Sequence, residues 1–209
     1  MKKFLITLMI LSVALTSVFA IDGLKVGGEV GYTRYGVVLK ADEFKTTVGV
    51  NTFTFAGVAE YQVLDGVDVV AKLGLDVHGK PHSKVTIGDV TIEETGDTVP
   101  VHFAAYVGGK YTYTINDKLS ASAGLGLDFM VGKLDKDSEK AGVFLGLKAE
   151  LGGKYKVTDK LAVTLGGGFT WIFVDTTEEN KELKKEVKDA GGYYFENRFG
   201  FTAGVTYSL

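Results

Sequence analysis

The sequence predicts an all-β protein: an eight-stranded antiparallel up-and-down barrel that crosses a lipid bilayer. Three observations predict it. Eight segments alternate with period two between large apolar residues and small or charged ones, the repeat of extended strands. Several run for ten residues or more; a strand tilted across a bilayer needs about 9 to 11, whereas strands of soluble proteins are usually about 5 to 6. The connections also alternate. Those at 36–47, 79–98, 132–142 and 174–192 are long and polar, and those at 64–66, 116–118 and 158–160 are tight, the asymmetry of an even-stranded membrane barrel. Closure leaves no edge strand and no unpaired backbone in hydrocarbon.

The chain begins with Lys2 and Lys3, an apolar run from Phe4 to about Leu15, and small residues ending at Ala20. This is the pattern of a secretory signal peptide, so we expect a signal peptide over 1–20 and one barrel domain over 21–209. Removing Lys2 and Lys3 leaves 21 basic against 26 acidic residues, and with no basic cluster the acidic balance argues against a nucleic-acid partner. The absence of cysteine excludes a disulfide scaffold and a thiolate metal site. No further run of 18 apolar residues follows the leader, so a helical span is not expected.

Each strand follows from its alternation. The first sets Leu24, Val26, Val30 and Tyr32 against Lys25, Glu29 and Thr33, and 36–47 then breaks the pattern with Lys40, Asp42, Glu43 and Lys45. The second sets Phe53, Phe55, Ala59 and Tyr61 against Thr52, Thr54 and Glu60. Asp65-Gly66 closes a hairpin into the third, where Val69, Leu73, Leu75 and Val77 alternate with Lys72, Asp76 and His78. Within 79–98, Val85-Thr86-Ile87 and Val90-Thr91-Ile92 flank Gly88-Asp89, the pattern of a protruding two-stranded arm. The fourth strand carries Phe103, Val107, Tyr111 and Tyr113 on one face and Lys110 on the other, and Asn116-Asp117-Lys118 turns it into the fifth, with Leu125, Leu127 and Phe129 against Asp128. Strands six and seven form a long hairpin about Thr158-Asp159-Lys160: Leu145, Leu147 and Leu151 oppose Lys148, Glu150 and Lys154, and Leu165, Phe169, Trp171 and Phe173 oppose glycines and threonines. In 174–192, Thr176 with Glu179, the spacing of Leu183, Val187 and Ala190, and Gly191 predict a short capped helix. There Leu183, Val187 and Ala190 are expected to shield the barrel mouth while Lys184, Lys185 and Glu186 stay in water. Phe195, Phe199, Phe201, Val205 and Tyr207 alternate with Glu196 and Arg198 in the last strand.

Gly108-Gly109-Lys110-Tyr111 leads to Asp117-Lys118-Leu119, and Gly152-Gly153-Lys154-Tyr155 leads to Asp159-Lys160-Leu161. These hairpins, with their glycine-rich strands, resemble the OmpA-like or opacity-type superfamily of eight-stranded outer-membrane barrels. So does the end of the chain, where Phe201, Val205, Tyr207 and Leu209 are similar to the C-terminal signal read by the barrel assembly machinery; Leu209 stands where that signal usually has phenylalanine. The resemblance implies a cell outer membrane of a diderm bacterium, with both chain ends periplasmic. It also implies contact with outer-membrane lipids and lipopolysaccharide or an equivalent, and passage through the assembly machinery.

Two sets of residues are candidates for function. Lys25, Glu29, Glu60, Lys72, Asp76, Lys110, Asp128, Lys148, Glu150, Lys154, Glu196 and Arg198 share the small-residue face and are expected to pair inside a lumen only wide enough for side chains. Tyr61, Tyr111, Tyr113, Tyr155 and Tyr207 near the short turns, and Tyr32, Phe53, Phe103, Phe129, Trp171, Phe173 and Phe195 near the long loops, are expected to form two aromatic girdles. His78, His82 and His102 surround the second long connection and read as polar rim residues, so no metal or cofactor is assigned. Ser83 beside His82 would point to the opposite side of a strand, and no serine lies in a nucleophile elbow. The sequence therefore supports a non-enzymatic barrel with a structural or surface-interaction role and long loops open to an external partner. A narrow channel for ions or small hydrophobic solutes, and a lipid-modifying enzyme, are the alternatives.

Overall fold

The computed structural model describes residues 23–41, 44–133, 140–189 and 191–209; the expected signal peptide lies outside them. The described strands are β1 (Leu24–Ala41), β2 (Phe44–Leu64), β3 (Val67–His78), β4 (His82–Ile87), β5 (Val90–Thr95), β6 (His102–Thr114), β7 (Leu119–Gly132), β8 (Gly142–Lys156), β9 (Leu161–Asp175) and β10 (Tyr193–Ser208), with one helix, α1 (Glu178–Asp189), before β10. Neighbours in the order β1, β2, β3, β6, β7, β8, β9, β10 pair antiparallel, and β10 pairs back to β1 from Lys25↔Ser208 to Lys40↔Tyr193. The result is a closed ring of eight strands.

The tight turns sit together at one end. Asn116 and Thr158 occupy equivalent places in two of them: each side-chain oxygen accepts hydrogen bonds from the backbone N–H groups two and three residues on, at 2.9 to 3.3 Å. Such side-chain closure is what short polar residues supply in turns. It accounts for the repeated Asp-Lys-Leu hairpins without a longer repeat architecture.

At the other end the structure corrects one boundary. Residues 36–41 and 44–47, expected in a loop, are strand: β1 and β2 stay paired up to Ala41↔Phe44. The outward pair Lys40↔Lys45 is exposed, so lysines stand here where apolar partners mark a strand in lipid. After β3 the chain continues upward along β2 as β4, with Phe44–Gly49 of β2 taking β4 as partner, and β5 returns beside β4. The expected arm is thus real, and it extends the barrel wall.

α1 occupies part of the last long connection. Thr176 does not cap it, because the Thr176 hydroxyl accepts from Val143 N at 2.9 Å; Thr177 directly precedes the helix, and its N–H and hydroxyl both donate to Asp175. The helix ends at Gly191, whose φ is +70°, a left-handed conformation that a Cβ disfavours. There Gly191 N reaches Lys188 O at 3.0 Å and Gly192 N reaches Val187 O at 2.8 Å, which satisfies the last carbonyls.

Candidate functional site

The alternation of each strand sends one set of side chains into the ring and the other out. Every inward residue named above enters an ion pair, in layers that follow strand register. Nearest the short turns, Lys25 meets Asp68 at 2.7 Å, Lys110 meets Glu60, and Lys154 lies 4.0 Å from Glu60. Asp68 belongs to this layer but was absent from the sequence-derived set. It stands one residue into β3 beside the Asp65-Gly66 turn, where an acidic residue reads as turn chemistry.

In the next layer Lys72 bridges Glu29 at 3.1 Å and Glu150 at 2.8 Å, and Lys148 reaches Glu150 at 2.9 Å. The two ammonium groups lie 5.3 and 5.2 Å from the centre of the Tyr106 ring, within cation–π range. Tyr106 itself is buried. A Cβ built on Gly126 would come within 2.7 Å of the Tyr106 ring and 2.5 Å of a backbone carbonyl, so only glycine lets that ring lie against β7.

Above this, Arg198 is the hub. Its guanidinium contacts Asp76 at 3.0 Å and Asp128 at 3.8 Å, and donates to Thr33 at 3.1 Å and Thr54 at 2.8 Å. Thr170 donates to Asp128 at 3.0 Å. Asp76 has no solvent exposure. A carboxylate in that position must be compensated, because a lone buried charge is expensive.

The mouth beyond the hub is apolar. Ala104, Met130, Phe144 and Ile172 pack together with Tyr35 against them. His78 and His102 meet here, ring centres 4.2 Å apart, and His102 stacks on Phe144. His78 Nδ1 hydrogen-bonds Thr52 at 2.8 Å, and His102 Nε2 donates to the Lys133 carbonyl at 2.9 Å. His102 is buried, not a rim residue, because β6 turns its side chain inward onto Phe144. His82 stands apart on the arm, bonded to Thr95. Among the described residues no group of three or more His, Cys, Asp or Glu side chains is placed to hold a metal.

Glu196 closes the outermost layer. It accepts from Tyr35, from Tyr194 at 3.3 Å and from Lys184 of α1 at 3.4 Å. Lys184 also sits 4.5 Å from the centre of the Tyr194 ring. So Lys184 does not remain in water as its helical position suggested: the buried carboxylate draws it inward, while Lys185 and Glu186 are exposed. The side chain of Leu183 and all of Ala190 lie outside the described residues.

The open volume is unevenly distributed. Cavities of about 290 Å³ and 70 Å³ occupy the half near the short turns, and Lys154 lines both. The apolar mouth holds about 40 Å³.

Outside, Tyr32, Phe53, Tyr61, Phe103, Tyr111, Tyr113, Phe129, Tyr155, Trp171, Phe173, Phe195 and Tyr207 are all exposed, as are Leu73, Leu125, Leu151 and Leu165 between them. Tyr32 meets Phe53, and Trp171 meets Phe173, edge to face at 5.2 and 6.1 Å. An apolar surface that encircles the ring far exceeds the few hundred Å² that soluble monomers leave in one patch.

The charged layers make a direct prediction. Glu150→Leu removes the carboxylate 2.9 Å from Lys148 while Lys72 keeps Glu29. It is expected to cost about 1.5 to 3 kcal/mol, the range for hydrogen bonds to charged groups. Urea unfolding in detergent measures this, and an unchanged midpoint would mean that water already solvates Lys148.

No protein-family model matches the sequence, and no curated protein matches it. Solved structures do. Neisserial surface protein A is similar with a TM-score of 0.54 at 11% identity, over 90% of this chain and 98% of that one. The N-terminal β-barrel domain of Pseudomonas aeruginosa OprF matches at a TM-score of 0.46 and 12% identity, over 87% of this chain and 97% of that one. A de novo designed transmembrane β-barrel matches at 0.42 and 17%, over 90% and 98%. At 11% identity the likeness to the Neisserial protein is one of fold. In fold, then, the chain is a small eight-stranded barrel of the outer-membrane type, the type its hairpins and closing strand resemble.

Proposed function

We propose that the protein is a non-enzymatic barrel of a bacterial outer membrane, with a structural and surface-interaction role. In this reading the short turns and both chain ends face the periplasm, and the arm and α1 stand outside the cell. One observation carries it: an exterior apolar around its whole girth encloses a lumen crossed by successive ion-paired layers and closed by an apolar mouth. Such an interior supports a stabilising plug, because a passage for ions would require Arg198, Tyr106 and the Tyr35–Phe144 cluster to move together. The two aromatic groups fit girdles at the two membrane boundaries. Ser83 lies 3.5 Å from the Glu94 carbonyl while His82 bonds Thr95. The adjacent His82–Ser83 pair therefore points apart, which favours a non-enzymatic role.

The absence of native cysteine makes topology directly testable. Asp89→Cys at the arm tip is expected to react with a membrane-impermeant maleimide on intact cells, and Asp117→Cys in a short turn only after lysis. The reverse pattern, or no reaction of either before lysis, would sink the proposed orientation. The refolded protein in a planar bilayer is expected to give no stepwise conductance; steady openings would favour the channel.

A further inference from the structure

The sheet order ends at β5. Among the described residues this strand pairs with β4 alone, and it is exposed along all six residues, Val90–Thr95. The two-residue Gly88-Asp89 loop makes Ile87↔Val90 the hydrogen-bonded pair next to the turn. Antiparallel pairs then alternate, so Val85↔Ile92 and Ser83↔Glu94 also bond within the arm. Thr91, Glu93 and Thr95 are left with N–H and C=O groups aimed away from it. Proteins commonly blunt such an edge with lysine, proline, a bulge or a covering element. Residues 90–95 have no lysine or proline, and the β4–β5 register runs without a shift.

Two further features give the edge a chemical preference. Phe44, Val85, Ile87, Val90 and Ile92 share one face by register, and Ile87, Val90 and Ile92 are 53 to 64% exposed. Residues 89–97 carry Asp89, Glu93, Glu94 and Asp97 with no lysine or arginine; of the four, Glu93 is paired, to Lys84 at 3.1 Å. We propose that the free edge of β5 is a docking site for an extended, basic, apolar-alternating segment of a partner polypeptide, added as a further strand. Main-chain hydrogen bonds would hold it, as in other strand additions, with valine-like side chains over Val90 and Ile92 and lysines on the opposite face near Glu93, Asp89 and Asp97. A second copy of this chain is a poorer fit, because it would bring two acidic segments together. The proposal rests on the arm standing outside the membrane.

The probe is a capped eight-residue peptide alternating valine and lysine, titrated against the full chain in phosphatidylcholine nanodiscs and followed by fluorescence anisotropy. Saturable binding above that of empty nanodiscs is expected. Glu93→Pro removes an N–H that faces the free edge and leaves the β4–β5 bonds in place, so it should weaken binding at least tenfold. Glu93→Lys, which keeps the N–H and reverses the charge on the lysine face, should weaken it severalfold, and a glycine–lysine peptide of equal charge should bind at least tenfold more weakly. Equal binding of the glycine–lysine peptide, unchanged affinity of Glu93→Pro, or no binding above empty nanodiscs would each overturn the proposal. The surface-interaction reading would survive any of these if Asp89→Cys still reacts on intact cells; if that labelling fails, the reading itself is lost.

Discussion

Arg198→Met is expected to destabilise the barrel by about 3 to 5 kcal/mol, the cost of breaking a buried pair by removing one partner. The Arg198 guanidinium is the cation paired with both Asp76 and Asp128, and both carboxylates are buried. Methionine fills much of the volume next to Met130, whose sulfur lies 3.2 Å from Arg198 Nη1, so the loss isolates charge from packing. The decisive measurement adds Asp76→Asn and Asp128→Asn to Arg198→Met and compares urea midpoints in the same detergent. Recovery of more than half the loss is expected, because neutral amides no longer demand a counter-ion. A triple variant as unstable as the single one would show that Arg198 acts by shape and not by charge.

Leu165→Arg should produce a loss of similar size for the opposite reason. Leu165 lies on β9 between Leu161, which pairs with Tyr207, and Trp171, so between the two aromatic groups; it is 64% exposed and faces out beside Ala203 and Gly153. A charge on the lipid face of a membrane barrel costs about 2 to 4 kcal/mol for Arg at the midplane and about 0 to 1 near the interfaces. Refolding into lipid bilayers should therefore show a large penalty for Leu165→Arg and a small one for Leu119→Arg beside a short turn. Equal, small penalties at both would place the outer face in water and contradict the membrane-spanning reading.

These two substitutions separate what was legible in the sequence from what was not. Strand number and the facing of each side chain were legible because both follow from a local rule: a residue two places on returns to the same side, and lipid and lumen make opposite demands on the two sides. That rule places Arg198 inside and Leu165 outside from the sequence alone. It could not place residues 36–41 and 44–47, where Lys40 and Lys45 pair on the outward face and lysines no longer mark the inner one. Which charges meet was equally hidden. Lys72 and Glu150 are 78 positions apart, and Arg198 and Asp76 are 122 apart; they meet because closing β10 onto β1 brings their strands to equal height across a narrow interior. The apolar mouth of Tyr35, Met130, Phe144 and Ile172 left no signal, since a large inward residue looks the same in sequence whether it fills a lumen or lines one. Ring closure and register are properties of all eight strands together, and so the tertiary structure alone decided that the charges pair, that the mouth is packed, and that β5 is the edge left open.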